Sequence, residues 1–464
     1  MDFVIGESET NLRSGKLTWK KNDRELSLDT PACLLYTKSG CVPHLTHDTL
    51  RLSLFGETLR EKNDLNPASR PLLPLVFPLA AFLLHRKSLN KFNDLENRNG
   101  VTDYVGVASE FDVISFSTQN DPIAPLPAGY NAGSFVSLWN YAGKSEVTPD
   151  IAWDVTMSMA PDVAQILADV DVGFHAKESE TTSRQTKAVK RSGAFPRKIV
   201  HRLKDDDDEK RKNATGWWAT AIVGLQEKLL HHYVKELSQC GDVIEGYVID
   251  GLQPTKNVLL AESSAHVERS VQEISRVLAA LPAKKPRLLS HVATPAMVVR
   301  AVEGGVDLFD TSFAVVVTDR GGALVFDCDF VDESSNVEEN STSALPDSQR
   351  VVEIDLNDVK YAQNFSPLLP GCPCHACSVY TKAYVHHLLV TQELLAQVLL
   401  MIHNQFHYTK FFDRIRKAVA GGHWERFKSL ILSHRHEVLK NDDDSDKKRG
   451  APGEGGRKKK KLVL

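Results

Sequence analysis

Three of the seven cysteines fall within one short run, Cys372-Pro373-Cys374-His375-Ala376-Cys377. Thiols this close cannot all pair with one another, but together they offer a soft donor face to a divalent ion. Zinc takes four tetrahedral N or S ligands, so a fourth must come from elsewhere in the chain. The downstream candidates are His386, His387, His403 and His407, with His375 inside the loop itself. We prefer His403. It lies 26 residues past Cys377 (403 − 377), and a straight helix of that length would carry it roughly 39 Å away. The segment must therefore fold back. Residues 379–389 read as one apolar-rich helix, Thr391 as the N-cap of a second, and 393–403 as its return. A closed Cys3His site has no position for a substrate, so the one structural Zn2+ it implies would hold the fold rather than do chemistry.

The elements that must carry this site belong to a long chain. Its 464 residues are 42% hydrophobic and 25% charged, ample for one large barrel with insertions or for two domains. A net charge of −4 gives no whole-chain signature of nucleic-acid binding, so an RNA site would have to be a local patch. Cys33, Cys41, Cys240 and Cys328 are scattered and the cysteine total is odd, which with no signal peptide points to a reducing compartment. The longest apolar run, 71–84, is too short to span a membrane and reads as buried core; no transmembrane segment is expected.

Short apolar runs alternate with helical stretches along most of the chain. Residues 15–36 read as a hairpin feeding a buried strand. Further strands are expected at 105–108, 111–116, 164–167, 220–223, 246–249, 287–291 and 308–309, and helices at 229–237 and 267–281. This alternation implies an α/β fold with a parallel sheet, and the length suits a TIM-like (β/α)8 barrel. The expected organisation is a barrel over 1–365, with charged, solvated insertions near 176–213 and 329–348. A zinc subdomain and closing helices follow over 366–440, then a disordered basic tail over 441–464.

The cysteine run, followed by Lys382-Ala383-Tyr384-Val385-His386-His387-Leu388 and then His403-Asn404, resembles the zinc subdomain of tRNA-guanine transglycosylases. The resemblance implies zinc on Cys372, Cys374, Cys377 and His403. Residues 285–289 and 302–310 resemble the strand–helix–strand that leads to that family's catalytic aspartate, a carboxylate that attacks the ribose C1′ and displaces guanine. Asp310 matches it. An aspartate at a strand end is also an ordinary turn cap.

The surroundings of Asp310 depart from the active pattern. The family's Cys-Val-x-Pro-Thr-Arg run is replaced by residues 311–320, which hold no proline. Its early Asp-Ser-Gly-Gly-Phe-Gln aligns with 107–112, putting Val107 where an acid is needed; an active copy would have to use Glu110 or Asp112 instead. The base-reading positions align with Gly224-Leu225-Gln226, Asp250-Gly251-Leu252 and Ala168, beside Asp169. Purine discrimination needs buried donors and acceptors that match the base edge.

The resemblance therefore implies a non-catalytic family member with no catalytic residues and Asp310 vestigial. Such a member pairs with a catalytic subunit, or with itself when isolated. The pair exchanges guanine for queuine at the wobble position of tRNAs with GUN anticodons. The resemblance also implies a cytoplasmic protein, peripheral on the mitochondrial outer membrane. The alternative is an active transglycosylase with Asp310 as nucleophile. Lys382, Lys410, Arg414, Arg416 and Lys417 are the local candidates for phosphate contacts.

Overall fold

Apolar runs bounded by turn residues become the staves of a closed barrel. The computed structural model describes residues 1–6, 12–21, 24–55, 70–95, 100–107, 111–172, 182–205, 215–253, 264–329 and 350–435. Three antiparallel strands come first, β1 (Asp2–Ile5), β2 (Gly15–Lys21) and β3 (Arg24–Thr30). The barrel then begins with β4 (Ala32–Tyr36), β5 (Leu72–Pro78) and β6 (Asp112–Thr118). A hairpin of β7 (Val136–Asn140) and β8 (Gly143–Val147) follows. The remaining staves are β9 (Val163–Ile166), β10 (Gly216–Ile222), β11 (Ile244–Asp250), β12 (Arg287–Leu289) and β13 (Leu308–Asp310). Every barrel pairing is parallel, and β13 closes on β4. This is a TIM-like barrel.

All seven residues of β10 and all five of β4 are buried, as parallel strands covered on both faces require. The interior is filled by Leu34, Val76, Phe116, Trp218, Val248 and Leu308 with their neighbours. Phe116 meets Trp218 edge-on at 5.7 Å. Gly246 on the next strand makes room for that indole, since a Cβ there would fall 2.5 Å from it. Leu17, Trp19 and Leu26 from the β1–β3 sheet join the same cluster. That sheet plugs the end where the strands begin. Arg13 and Asp307 seal its edge, Nε to Oδ1 at 3.2 Å, and Asp307 also accepts from the Arg287 amide at 2.8 Å. The open end is the one where the strands finish, which is where barrels of this kind place their chemistry.

Several local expectations need correction. Residues 105–108, read as a strand, begin as the turn after the short helix Gly100–Tyr104, and Ala108 lies outside the described residues. The apolar run 71–84 is largely buried core, as expected, and it supplies β5, a barrel stave, before turning into helix. Within 176–213, read as a solvated insertion, residues 182–205 form two helices, Thr182–Ser192 and Ala194–Asp205. Ala188, Val189, Phe195 and Ile199 are buried there, so these helices belong to the layer around the barrel. The rest of that stretch, 330–349 and the tail 441–464 lie outside the described residues.

Past the barrel, β14 (Gly322–Leu324) pairs with β15 (Glu353–Asp355), and four helices follow: His375–Val379, Lys382–Val390, Leu395–Ala420 and Trp424–Leu432. The helix expected over 379–389 is broken at Tyr380. Thr381 caps the second piece by accepting from the Tyr384 amide at 3.2 Å. Thr391 ends that helix rather than starting the next, donating to the His387 carbonyl. The return expected over 393–403 is the start of one 26-residue helix that runs on to Ala420. Among the described residues no helix is long and apolar enough to cross a membrane.

Candidate metal centre and barrel mouth

Cys374 caps the helix His375–Val379, its sulfur accepting from the Cys377 amide at 3.4 Å, so one turn of helix sets Cys374 and Cys377 side by side. The long helix Leu395–Ala420 brings His403 against them. Its Nδ1 lies 3.3 Å from the sulfur of Cys377, 3.5 Å from Cys374 and 3.8 Å from Cys372. All four donor atoms fall within 4.8 Å of one another. A tetrahedral zinc with ordinary Zn–S and Zn–N bonds would set those N···S edges at about 3.6 Å. The residues therefore fit a metal ion.

The surroundings fix the donors. His403 Nε2 donates to the Leu324 carbonyl at 2.8 Å, which leaves the Nδ1 lone pair facing the thiols. Next to it Asn404 accepts from the Leu324 amide at 2.8 Å and donates to Thr318 and Gly322, tying the long helix to β14. Hydrogen bonds from Cys374 and Cys377 lower the pKa of the Cys372 thiol, and the same contacts raise that of Cys374, so the thiols titrate as one group with the negative charge drawn to Cys372. Two of the other candidate histidines are engaged elsewhere: His386 bonds the Leu356 carbonyl at 2.8 Å and His407 that of Phe326 at 2.9 Å.

The second cluster lies at the open end of the barrel. Asp310 ends β13, is 2% exposed, and accepts from the Ser312 amide at 2.9 Å. Burial raises its pKa to about 6; the Ser312 hydrogen bonds oppose the shift and the charge of Asp121 adds to it. Asp121 follows β6 and accepts from the Tyr36 hydroxyl at 2.8 Å.

A Cys3His cluster with the spacing to hold a metal ion, beside a barrel with a strand-end aspartate, narrows the field, and the match of this chain to the family model for queuine tRNA-ribosyltransferase, over residues 8–437, decides it. The chain belongs to the queuine tRNA-ribosyltransferase family. It is 32% identical to a human protein named queuine tRNA-ribosyltransferase accessory subunit 2, over 93% of this chain and 99% of that one. A chicken protein of the same name is 32% identical over 90% and 94%, and a zebrafish one 31% over 94% and 99%.

Within the family frame, the positions opposite Asp310 can be checked. Val107 does not face it. It precedes β6, and Asp112 opens that strand opposite Leu72, at the plugged end, paired with Arg24 at 2.7 Å. Glu110 lies outside the described residues. The β6 residues that reach the mouth are Thr118 and those after it, Gln119, Asn120 and Asp121. The polar run Gln119-Asn120-Asp121 after an apolar strand was the signal for them.

The base-reading positions do lie at the mouth, and each is taken. Asp250 is 1% exposed and accepts from Gln165 at 3.0 Å and from Gly251 at 2.7 Å. Gln165 also donates to Thr220 and accepts from the Gln119 amide. Gln119 closes a reciprocal pair with the backbone of Ala168. Asp169 is clamped by Arg191 and Asn131. The loop 224–226 is bound by Gln185, which donates to the Gly224 carbonyl and accepts from the Gln226 amide. Burial raises the pKa of both Asp250 and Asp169.

Proposed function

We propose that this chain is the non-catalytic subunit of a heterodimeric queuine tRNA-ribosyltransferase, which exchanges guanine for queuine at the wobble position of tRNAs with GUN anticodons. The observation that carries the reading is the occupation of the mouth. The groups aligned with the base-reading positions are held by Gln165 on Asp250, by Gln185 on the Gly224 carbonyl and the Gln226 amide, and by Arg191 on Asp169, and a base would have to displace several of these bonds at once. Similarity to relatives named accessory subunit 2 over nine-tenths of the chain supports the same reading. The partner subunit then carries the base exchange, and this chain contributes assembly and RNA contacts.

Zinc is the ion that three thiolates and an imidazole at tetrahedral spacing suit, held by Cys372, Cys374, Cys377 and His403 with no open position. It ties the helices His375–Val379 and Leu395–Ala420 together beside β14. This reading divides the chain as a barrel over 1–365 and a zinc subdomain with closing helices over 366–440. It places the complex in the cytoplasm, peripheral to the mitochondrial outer membrane, and cell fractionation tests that. An odd cysteine count suits a reducing compartment.

The deciding experiment measures guanine exchange by the chain alone, by a catalytic family member alone, and by the two together. The chain alone should be inactive, the mixture active, and Asp310→Ala in the mixture within a few fold of wild type. A hundredfold fall with the dimer intact would overturn the reading. One observation favours the alternative of an active enzyme using Asp310: Asp121 supplies a second carboxylate at the mouth. Exchange by the isolated chain, lost in Asp121→Asn, would establish it.

A further inference from the structure

Of the five cations expected to meet phosphate, four are committed, while Lys417 is exposed with no ion pair among the described residues. Lys410 and Arg414 share Asp329, Arg416 binds Asp413 and the Pro31 carbonyl, and Lys382 donates to Ser366. A run of positive charge lies on the helices Thr182–Ser192 and Ala194–Asp205, where eight Lys and Arg stand against the single Asp205. Five of these are engaged: Arg184 with Asp171, Arg191 with Asp169, Arg197 with Glu236, and Lys198 and Arg202 with Asp150. Lys187 and Lys190 are exposed and have no ion pair among the described residues. Lys187 falls between Arg184 and Arg191 at i+3 and i+4 spacing, on the face that meets the segment leading into the β7–β8 hairpin.

That segment holds Tyr130 in place. On one side the Gly129 amide donates to Asp171, and on the other Asn131 donates to Asp169. Each of those carboxylates is the one clamped by an arginine of the helix, and Arg191 also donates to the Gly133 carbonyl at 3.3 Å. The Tyr130 carbonyl accepts from Ser137 at 2.8 Å. Trp139 meets the Tyr130 ring edge-on at 5.1 Å and 83°, and the Lys144 ammonium stands 6.0 Å from its centroid. With its neighbours fixed on both sides, the residue is still 48% exposed. The nearby acids are already neutralised, so an anion arriving here meets positive charge beside a rigid aromatic face.

We propose that Tyr130 with Lys187 and Lys190 forms a docking surface for single-stranded RNA, an unpaired base stacking on Tyr130 while adjoining phosphates meet the two lysines. The proposal rests on the tRNA reading above and adds where the loop touches this chain. A paired base inside a duplex has no free face to stack, whereas phosphates are common to both forms.

The test titrates the full chain, with its catalytic partner, against a labelled anticodon stem-loop and a blunt duplex of equal length, at several salt concentrations. Tyr130→Ala should weaken stem-loop binding by about tenfold or more and leave the duplex unchanged, and Tyr130→Phe should bind as wild type. Lys187→Glu with Lys190→Glu should weaken both RNAs and flatten the salt slope by one to two. Thermal unfolding of each variant separates lost folding from lost contact. Unchanged stem-loop binding by a folded Tyr130→Ala overturns the surface and leaves the tRNA reading standing. A wild-type complex that binds no tRNA overturns that reading and the surface with it.

Discussion

At the candidate metal centre, four donor atoms converge on one point, with N···S separations of 3.3 to 3.8 Å and the Leu324 carbonyl holding the ring that faces them. At the barrel mouth the polar side chains are just as buried, but their donors and acceptors are turned on one another: Gln119 to Ala168, Gln165 to Asp250 and Thr220, Gln185 to the 224–226 loop. The first cluster leaves its lone pairs for a guest. The second has turned much of its hydrogen-bonding capacity inward, with the Asn120 amide and the Thr118 hydroxyl left buried and without a partner among the described residues. Burial alone therefore does not mark a working site; what matters is whether the buried groups are satisfied from within.

The largest expected effect breaks the convergent cluster. Structural zinc contributes on the order of 10 kcal/mol to folding in small domains. Cys374→Ala should lose the metal by elemental analysis and lose protection from hydrogen exchange across Lys382–Val390. His386→Ala should keep it. A Cys374→Ala protein with a full complement of metal would remove the ligand set.

A smaller effect tests whether the mouth is a built-in strain. The folded pKa of Asp310, about 6, lies above the ordinary aspartate value of 3.8. The native state then binds the proton more tightly, so this group's contribution is complete below about pH 4 and falls as pH rises through about 6. By pH 8 the loss is about 3 kcal/mol. Asp310→Asn should erase that slope. Urea unfolding at pH 4 and pH 8 measures it, and a wild-type-to-variant difference that does not change with pH would contradict the account.

Weaker still, Gln165→Ala should cost about 1–3 kcal/mol, because it leaves Asp250, Thr220 and the Gln119 amide short of partners. If chemical denaturation shows no loss, the mouth is not held by this network. The smallest change is Thr381→Ala, which removes one helix cap beside the metal centre. It should lower stability by about 1 kcal/mol and leave the metal bound.

The Cys3His cluster was legible because soft donors at short spacing constrain one another before any fold is known, and because His403 needed only a chain reversal to reach them. The barrel was legible from the alternation of buried strands with amphipathic helices. The mouth was harder, because it depends on which residue ends each strand. A run that aligned by residue type put Val107 opposite Asp310, yet the strand starts at Asp112 and reaches the mouth only at Thr118. The charged stretch misled in another way. Its lysines and arginines read as solvent-facing, while Ala188, Val189, Phe195 and Ile199 carried the buried side of two helices. The β7–β8 hairpin gave no strong signal, since its strands are short and one face is polar.

The plug at the closed end sets the order in which the molecule can be made. Leu17 and Trp19 belong to the same core cluster as Leu308, nearly three hundred positions later in the chain. At about 5–20 residues per second on the ribosome, the interval between them is roughly 15 to 60 s. Throughout it the β1–β3 sheet has an apolar face with no barrel to close. Contacts so distant in sequence make for slow folding, and the nascent sheet is the part of this chain that a chaperone would have to shelter longest.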